Sequence, residues 1–209
     1  MLAKVLELHP QNPQKRLLNQ IVHALKAGAV IAYPTDSSYA LGCHLGDKKA
    51  LQRIGRIRQV DAKHNYTLVG KDIAQLTDYV KVDNQQYRIL KSHTPGPYTF
   101  IFSAKRKVPR RSLHQKRLTI GVRIPDNTIV QEMLSVFGEP ILSSTLSLPN
   151  SMLPLGDPEE IIDKLSKQVD VIINGGHCGI EPTTVIDWQG DVPEVMRHGK
   201  GKVGFVSEY

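Results

Sequence analysis

No stretch of this chain is apolar for long enough to cross a bilayer; its longest hydrophobic runs have the length of strands. The opening residues, Met1 to Leu8, include Lys4 and Glu7 and lack the apolar centre and cleavage site of a signal peptide. Cysteine is scarce. Cys43 and Cys178 are too few for a disulfide framework and too isolated for a metal site, so no metal held by protein ligands is expected and a cytoplasmic location is the default. Low-complexity tracts, internal repeats and linker-like stretches are missing, so the 209 residues read as one domain with a sizeable core. The usual chemical signatures are missing too: there is no GxxxxGKS/T phosphate loop, no GxGxxG after a strand, no HExxH, no GxSxG elbow and no paired CxxC. A nucleotide bound here would be held by scattered arginine, lysine and hydroxyl groups. His177-Cys178 is a poor nucleophile pair, because adjacent side chains of an extended chain point apart.

Positive charge is what the chain has in excess. The formal net charge is +7 and the isoelectric point about 9.4, which favours an anionic partner. Lys105, Arg106, Lys107, Arg110, Arg111, Lys116 and Arg117 fall within thirteen residues that contain no acid. Arg53, Arg56, Arg58, Lys63 and His64 form a second group. Each group reads either as a solvated basic face or as a surface for polyphosphate or RNA.

Periodicity gives an alternation of helices and strands. Leu17, Leu18, Ile21, Val22, Ala24 and Leu25 have helical spacing, and Gly28 stops the helix. Ala29 to Tyr33 is a short buried strand, ended by Pro34 and followed by the small polar residues Thr35, Asp36, Ser37 and Ser38. Short polar groups at the end of a rigid strand suit a ligand pocket. Asp47 caps a helix whose Leu51, Ile54 and Ile57 face the core, leaving the heads of Arg53, Arg56 and Arg58 free. Strands are expected at 66–69, 98–103, 118–124, 141–145, 169–173, 184–186 and 194–196, and helices at 72–79 and 85–90, after Asp126 or Asn127, and after Asp157. The segment 105–117 is a loop or short helix broken at Pro109, and 175–179 a glycine-rich loop. Without a strict βαβ repeat, the pattern indicates one α/β domain around a twisted mixed sheet.

Five motifs in order add a resemblance. Gly28-x-Val30-Ile31-Ala32-Tyr33-Pro34-Thr35-Asp36 with Leu41-Gly42-Cys43, then Pro95-Gly96-Pro97-Tyr98-Thr99, Val122-Arg123-Ile124-Pro125, Pro182-Thr183-Thr184-Val185-Ile186-Asp187 and Arg197-x-Gly199 resemble the signature segments of the YrdC-like family, the threonylcarbamoyl-adenylate synthases. The resemblance covers a family core from about residue 14 to 199. It implies a YrdC/RibB-like, twisted open mixed sheet with flanking helices and a positively charged cavity. Family members join threonine, bicarbonate and ATP into threonylcarbamoyl-AMP and pyrophosphate, with Mg²⁺ on the nucleotide, for the t6A modification of tRNA. By that resemblance Thr35, His64, Arg123, Thr145 and Thr183 contact the threonine moiety, and Arg56, Arg58, Thr119, Ser147 and Arg197 contact an ATP- or AMP-type nucleotide. No catalytic residue is assigned.

The departures from the family pattern are informative. Its KxR pair is here Arg56-Ile57-Arg58, His64 stands where a lysine usually follows, and the TSAN stretch ends as Thr145-Leu146-Ser147. A lysine is a point charge on a flexible stem and an arginine a broad fork, so the exchange is not neutral at a phosphate. These changes resemble the YciO branch. Two functions are expected. One is weak synthesis or hydrolysis of the adenylate. The other is binding of tRNA or double-stranded RNA through the basic surface, with Lys105, Arg106, Lys107, Arg110, Arg111, Lys116 and Arg117 as contacts.

Overall fold

The computed structural model describes residues 2–60, 64–114, 116–149, 151, 153–190 and 192–208; Lys63 of the second basic group lies outside them. In chain order the strands are β1 (Lys4–Glu7), β2 (Ile31–Tyr33), β3 (Ala40–His44), β4 (Thr67–Val69), β5 (Tyr98–Ser103), β6 (Thr119–Arg123), β7 (Ile141–Thr145), β8 (Val171–Asn174), β9 (Thr184–Asp187) and β10 (Glu194–Arg197). The helices are α1 (Lys15–Lys26), α2 (Lys48–Arg58), α3 (Ile73–Thr77), α4 (Asn84–His93), α5 (Thr128–Phe137) and α6 (Pro158–Leu165). The strands form one ten-stranded sheet in the order β1-β8-β2-β3-β7-β4-β6-β5-β9-β10. Its pairings are mixed: β8 runs parallel to β1 and β2, and β4 to β6, whereas β3, β7 and β4 are antiparallel neighbours.

Local chemistry accounts for the helix boundaries. Asp47 accepts from the Ala50 N–H at 2.9 Å and Asn127 from the Val130 N–H at 3.2 Å, each satisfying an otherwise orphaned donor of the first turn. Asp83 forms a full capping box with Gln86. Asp157 caps α6 just before Pro158. Leu18, Ile21, Val22 and Leu25 of α1 pack with Ile129, Val130, Met133 and Leu134 of α5 against Ile31, Tyr33, Ala40 and Ile141 on one face of the sheet. The opposite face carries Leu41, Leu68, Phe100, Val122 and Leu142 against Leu51 and Ile54 of α2. Full burial of a valine, leucine, isoleucine, phenylalanine or methionine side chain among these contributes about 1.5–3 kcal/mol.

β2 is shorter than the apolar run from Ala29 to Tyr33, because the Val30 N–H is taken by the Asp170 carboxylate at 2.7 Å rather than by a neighbouring strand. Two strands were not anticipated. β1 carries exposed Lys4, Val5 and Glu7 at the sheet edge, so only Leu6 is buried and no alternation shows. β3 follows directly on the polar loop and pairs with β2 from Tyr33↔Ala40 to Ile31↔Gly42. Gly42 is glycine for a packing reason: a Cβ there would lie 2.9 Å from the Tyr33 ring. The heads of Arg53 and Arg58 are not free, contrary to the reading of α2. Arg53 pairs with Asp170 at 2.7 Å, and Arg58 bonds to β7 and the residues after it. Both lie within reach because the helix packs directly over the neighbouring strands. Among the described residues no helix is long and apolar enough to cross a membrane.

Candidate functional site

Residues paired across a sheet share a face. The register sets Thr67 beside Gly121, Gly121 beside Ile101, and Ile101 beside Asp187, a row that crosses β4, β6, β5 and β9. Among the described residues no helix covers this row, and it floors a cavity of about 670 Å³. Gly121 keeps the floor deep: a Cβ there would lie 2.9 Å from Thr67 Oγ1 and 3.0 Å from Thr99 Cγ2.

Seven of the ten anticipated threonine and nucleotide contacts line this one cavity: Arg58, His64, Thr119, Thr145, Ser147, Thr183 and Arg197. Arg58, at the C-terminal end of α2, donates from Nε to the Ser147 carbonyl at 3.1 Å and from Nη1 to Ser144 Oγ at 2.5 Å. His64 Nε2 lies 2.8 Å from the same Ser144 Oγ. On the opposite wall Arg197 donates from Nη2 to the Thr183 carbonyl at 2.9 Å and to Thr183 Oγ1 at 3.1 Å, and Thr183 Oγ1 lies 3.0 Å from Thr99 Oγ1. The glycine of the closing Arg197-x-Gly199 segment has a physical reason, because a Cβ there would lie 2.6 Å from the Thr183 carbonyl carbon. Burial lowers the pKa of both Arg58 and Arg197, and the charge of Arg123 lowers that of Arg197 further.

Thr35 and Arg123 stand beside the cavity rather than in its lining. Arg123 is buried and donates from Nη2 to Thr35 Oγ1 at 3.1 Å, to Ser37 Oγ at 2.9 Å and to Asp36 Oδ1 at 2.5 Å. The Thr35 hydroxyl gives its own hydrogen to the Ser38 carbonyl at 2.6 Å, so it organises its loop and the guanidinium together. Asp36 Oδ2 and Arg123 Nε are buried without hydrogen-bond partners.

Arg56 is elsewhere. It is exposed and lines a second, open groove with Lys48, Leu51, Tyr66, Arg110 and Arg111. The remaining basic residues diverge. Lys105 donates to the Thr77 carbonyl, Lys107 pairs with Asp78 and lies over the Tyr79 ring, Arg111 donates to the Gly46 carbonyl, and Arg106 and Lys116 are exposed. Arg117 instead lines the main cavity and pairs with Asp187 at 3.2 Å. His177 and Cys178 also face different neighbours, His177 towards Asp157 and Cys178 towards Thr35.

Several lining residues carried no individual signal in the sequence. Thr99 and Asp187 sit inside recognised motifs but had no assigned role, and Thr67, His114 and Ser144 had none at all. For Thr67 and Ser144 the only available clue was their position in strands next to motif residues. Asp36 and Ser37, read as a polar rim, are instead the partners of Arg123.

A ten-stranded mixed sheet with helices on both faces and an arginine- and hydroxyl-lined cavity on part of one face defines a single-domain α/β protein. The chain belongs to the family of Sua5, YciO and YrdC, whose model, described as telomere recombination, matches residues 23–199. It is 54% identical to the protein named YciO of Escherichia coli (strain K12) over 196 residues, 94% of this chain and 95% of that protein. The crystal structure of E. coli YciO superposes with a TM-score of 0.94 at 52% identity, covering 97% of this chain and 98% of that one. The threonylcarbamoyl-AMP synthase of Vibrio vulnificus (strain YJ016) is 31% identical over 161 residues, 76% of this chain and 86% of that protein. The structure of P. abyssi Sua5 complexed with L-threonine shares the fold, with a TM-score of 0.86 at 21% identity over 93% of this chain and 57% of that one.

Proposed function

We propose that the cavity binds threonylcarbamoyl-adenylate or its parts, and that the protein acts in t6A chemistry by forming this adenylate weakly or by hydrolysing it. The observation that carries this reading is convergence. Arg58, His64, Thr119, Thr145, Ser147, Thr183 and Arg197 come from five separate segments of the chain and line one cavity. Cationic forks suit phosphate oxygens, and a wall of hydroxyls suits a ribose or a threonine. The kinship to a threonylcarbamoyl-AMP synthase supports the same chemistry, and the L-threonine held by P. abyssi Sua5 belongs to a protein of the same fold. Mg²⁺ would enter on the phosphates of ATP. Among the described residues no group of three or more His, Cys, Asp or Glu could hold it, and Asp187 in the cavity is already bonded to Arg117 and Gln189.

Calorimetric titration with AMP and with preformed threonylcarbamoyl-adenylate tests the reading, alongside incubation with threonine, bicarbonate and Mg-ATP. Saturable binding of either ligand is expected. No nucleotide binding and no turnover would sink it. A second reading, RNA binding, is favoured by one observation: Lys48, Arg56, Arg110 and Arg111 line the same open groove, outside the nucleotide cavity.

A further inference from the structure

The hydrogen-bond arithmetic at Ser144 points to a role that none of the anticipated contacts supplies. A guanidinium can only donate, so the Ser144 oxygen accepts from Arg58 Nη1 at 2.5 Å. His64 Nε2 lies 2.8 Å from the same oxygen, and with the imidazole in its Nδ1–H tautomer it accepts the one hydroxyl hydrogen. Ser144 sits on β7, in the middle of the sheet, and lines the cavity. Arg58 is fixed by its second bond, to the Ser147 carbonyl. A hydroxyl that donates to an imidazole and accepts from a fixed cation has the geometry of an activated nucleophile. The same cation is placed to stabilise negative charge that builds on the oxygen or beside it.

Resting on the function proposed above, we infer that Ser144 and His64 form a nucleophile–base pair that cleaves acyl- or carbamoyl-adenylates in this cavity. Ser144 Oγ bonds to the carbonyl carbon of the mixed anhydride while its proton passes to His64 Nε2. The bond from that carbon to the phosphate oxygen breaks, and His64 gives the proton to the departing phosphate, releasing AMP. Water then adds to the carbamoyl-serine ester, losing a proton to His64, which returns it to Ser144 Oγ as the ester bond breaks. The products are AMP and an N-carboxy amino acid, which falls apart to the amino acid and carbon dioxide. Water is the only co-reactant, and no electrons change hands.

The test uses the full chain with preformed threonylcarbamoyl-adenylate. Ser144→Ala and His64→Asn should each slow AMP release by about 100-fold or more, the range expected for loss of a nucleophile or its base, while AMP affinity by calorimetry stays within about threefold. Mass spectrometry of wild-type protein quenched early should show the carbamoyl group on the peptide that carries Ser144. The inference is overturned if Ser144→Ala releases AMP at the wild-type rate, or if the wild type binds the adenylate without releasing AMP. A wild type that binds neither AMP nor adenylate would instead overturn the proposed function itself. Should Ser144→Ala fail to fold, His64→Asn decides the matter, since that side chain is half-exposed and lies outside the sheet.

Discussion

Arg123, at the end of β6, holds Asp36 of the loop after β2 at 2.5 Å, with both side chains 9% exposed. The Arg123 nitrogen that makes this bond also reaches Thr35 and Ser37, so one guanidinium holds three consecutive residues of this loop. Removing one member of a buried pair leaves the other charge uncompensated, at a cost of about 3–5 kcal/mol. Asp36→Ala should therefore lower the melting temperature by about 6–20 °C, given about 2–4 °C per kcal/mol in a chain of this size. Asp36→Asn, which keeps an acceptor, should lower it less. Thermal unfolding of the two variants checks the order; equal and small losses would show that the pair is not structural.

Gly121 is predicted to be as sensitive as any charged residue of the cavity. A methyl group there meets Thr67 Oγ1 at 2.9 Å, so Gly121→Ala should raise the floor and weaken AMP binding by about tenfold, or about 1.4 kcal/mol. Adding Thr67→Ala removes the nearest clash and should restore part of the affinity. Calorimetry on the single and double variants measures the coupling. Additive losses would mean that the two side chains do not compete for this space.

Most of the fold was legible from local chemistry, and the site only in outline. Asp47, Asn127 and Asp157 announced their helices because an N-cap needs nothing beyond its own first turn. Ordered motifs brought Thr183 and Arg197 to one wall. What escaped was long-range. β1 exists because β8 offers it a parallel partner, which no local pattern encodes. Arg56 and Arg58 are two residues apart on one helix, so they point to different sides, and the sequence pair alone does not say which one meets the cavity. Asp36 read as loop polarity because its partner lies 87 residues further along the chain.

That divergence on α2 makes a sharp prediction. Arg58→Ala should weaken AMP binding by tenfold or more, a loss on the scale of a charge-assisted hydrogen bond, about 1.5–3 kcal/mol. Arg56→Ala should leave AMP binding unchanged, because that side chain lines the other groove. Arg56→Lys, which restores the more usual family residue, should likewise leave AMP affinity and adenylate turnover unchanged. A gain of synthase activity in Arg56→Lys would show that this side chain reaches the cavity during turnover.

The second groove is tested by salt. If Arg110 and Arg111 contact RNA phosphates, replacing both with alanine should weaken binding of a double-stranded RNA and flatten its salt dependence by about two counterions' worth of slope. AMP affinity should not change. Loss of both RNA and AMP binding would mean that a single cavity serves both ligands.

The last prediction concerns alkaline stability. Burial raises Tyr33 from an ordinary 10.0 to about 12, partly offset by its bond to Ser143, and burial likewise raises Cys43 from 9.0 to about 12. Both groups are acids that stay neutral in the folded chain after they have ionised in the unfolded one. Between the two values the unfolded state binds fewer protons than the folded state, so stability must fall as pH rises. The loss begins near pH 9 with Cys43, is joined near pH 10 by Tyr33, and levels off near pH 12. At 1.36 kcal/mol per unit the Tyr33 share is about 3 kcal/mol. Tyr33→Phe gives up the 2.6 Å hydrogen bond to Ser143 Oγ, which costs about 1 kcal/mol at neutral pH. It also removes one titrating group, so its denaturation midpoint should start below the wild type at pH 8 and cross above it by about pH 11. Parallel curves for the two proteins across that range would show that Tyr33 ionises in the folded state as easily as in water.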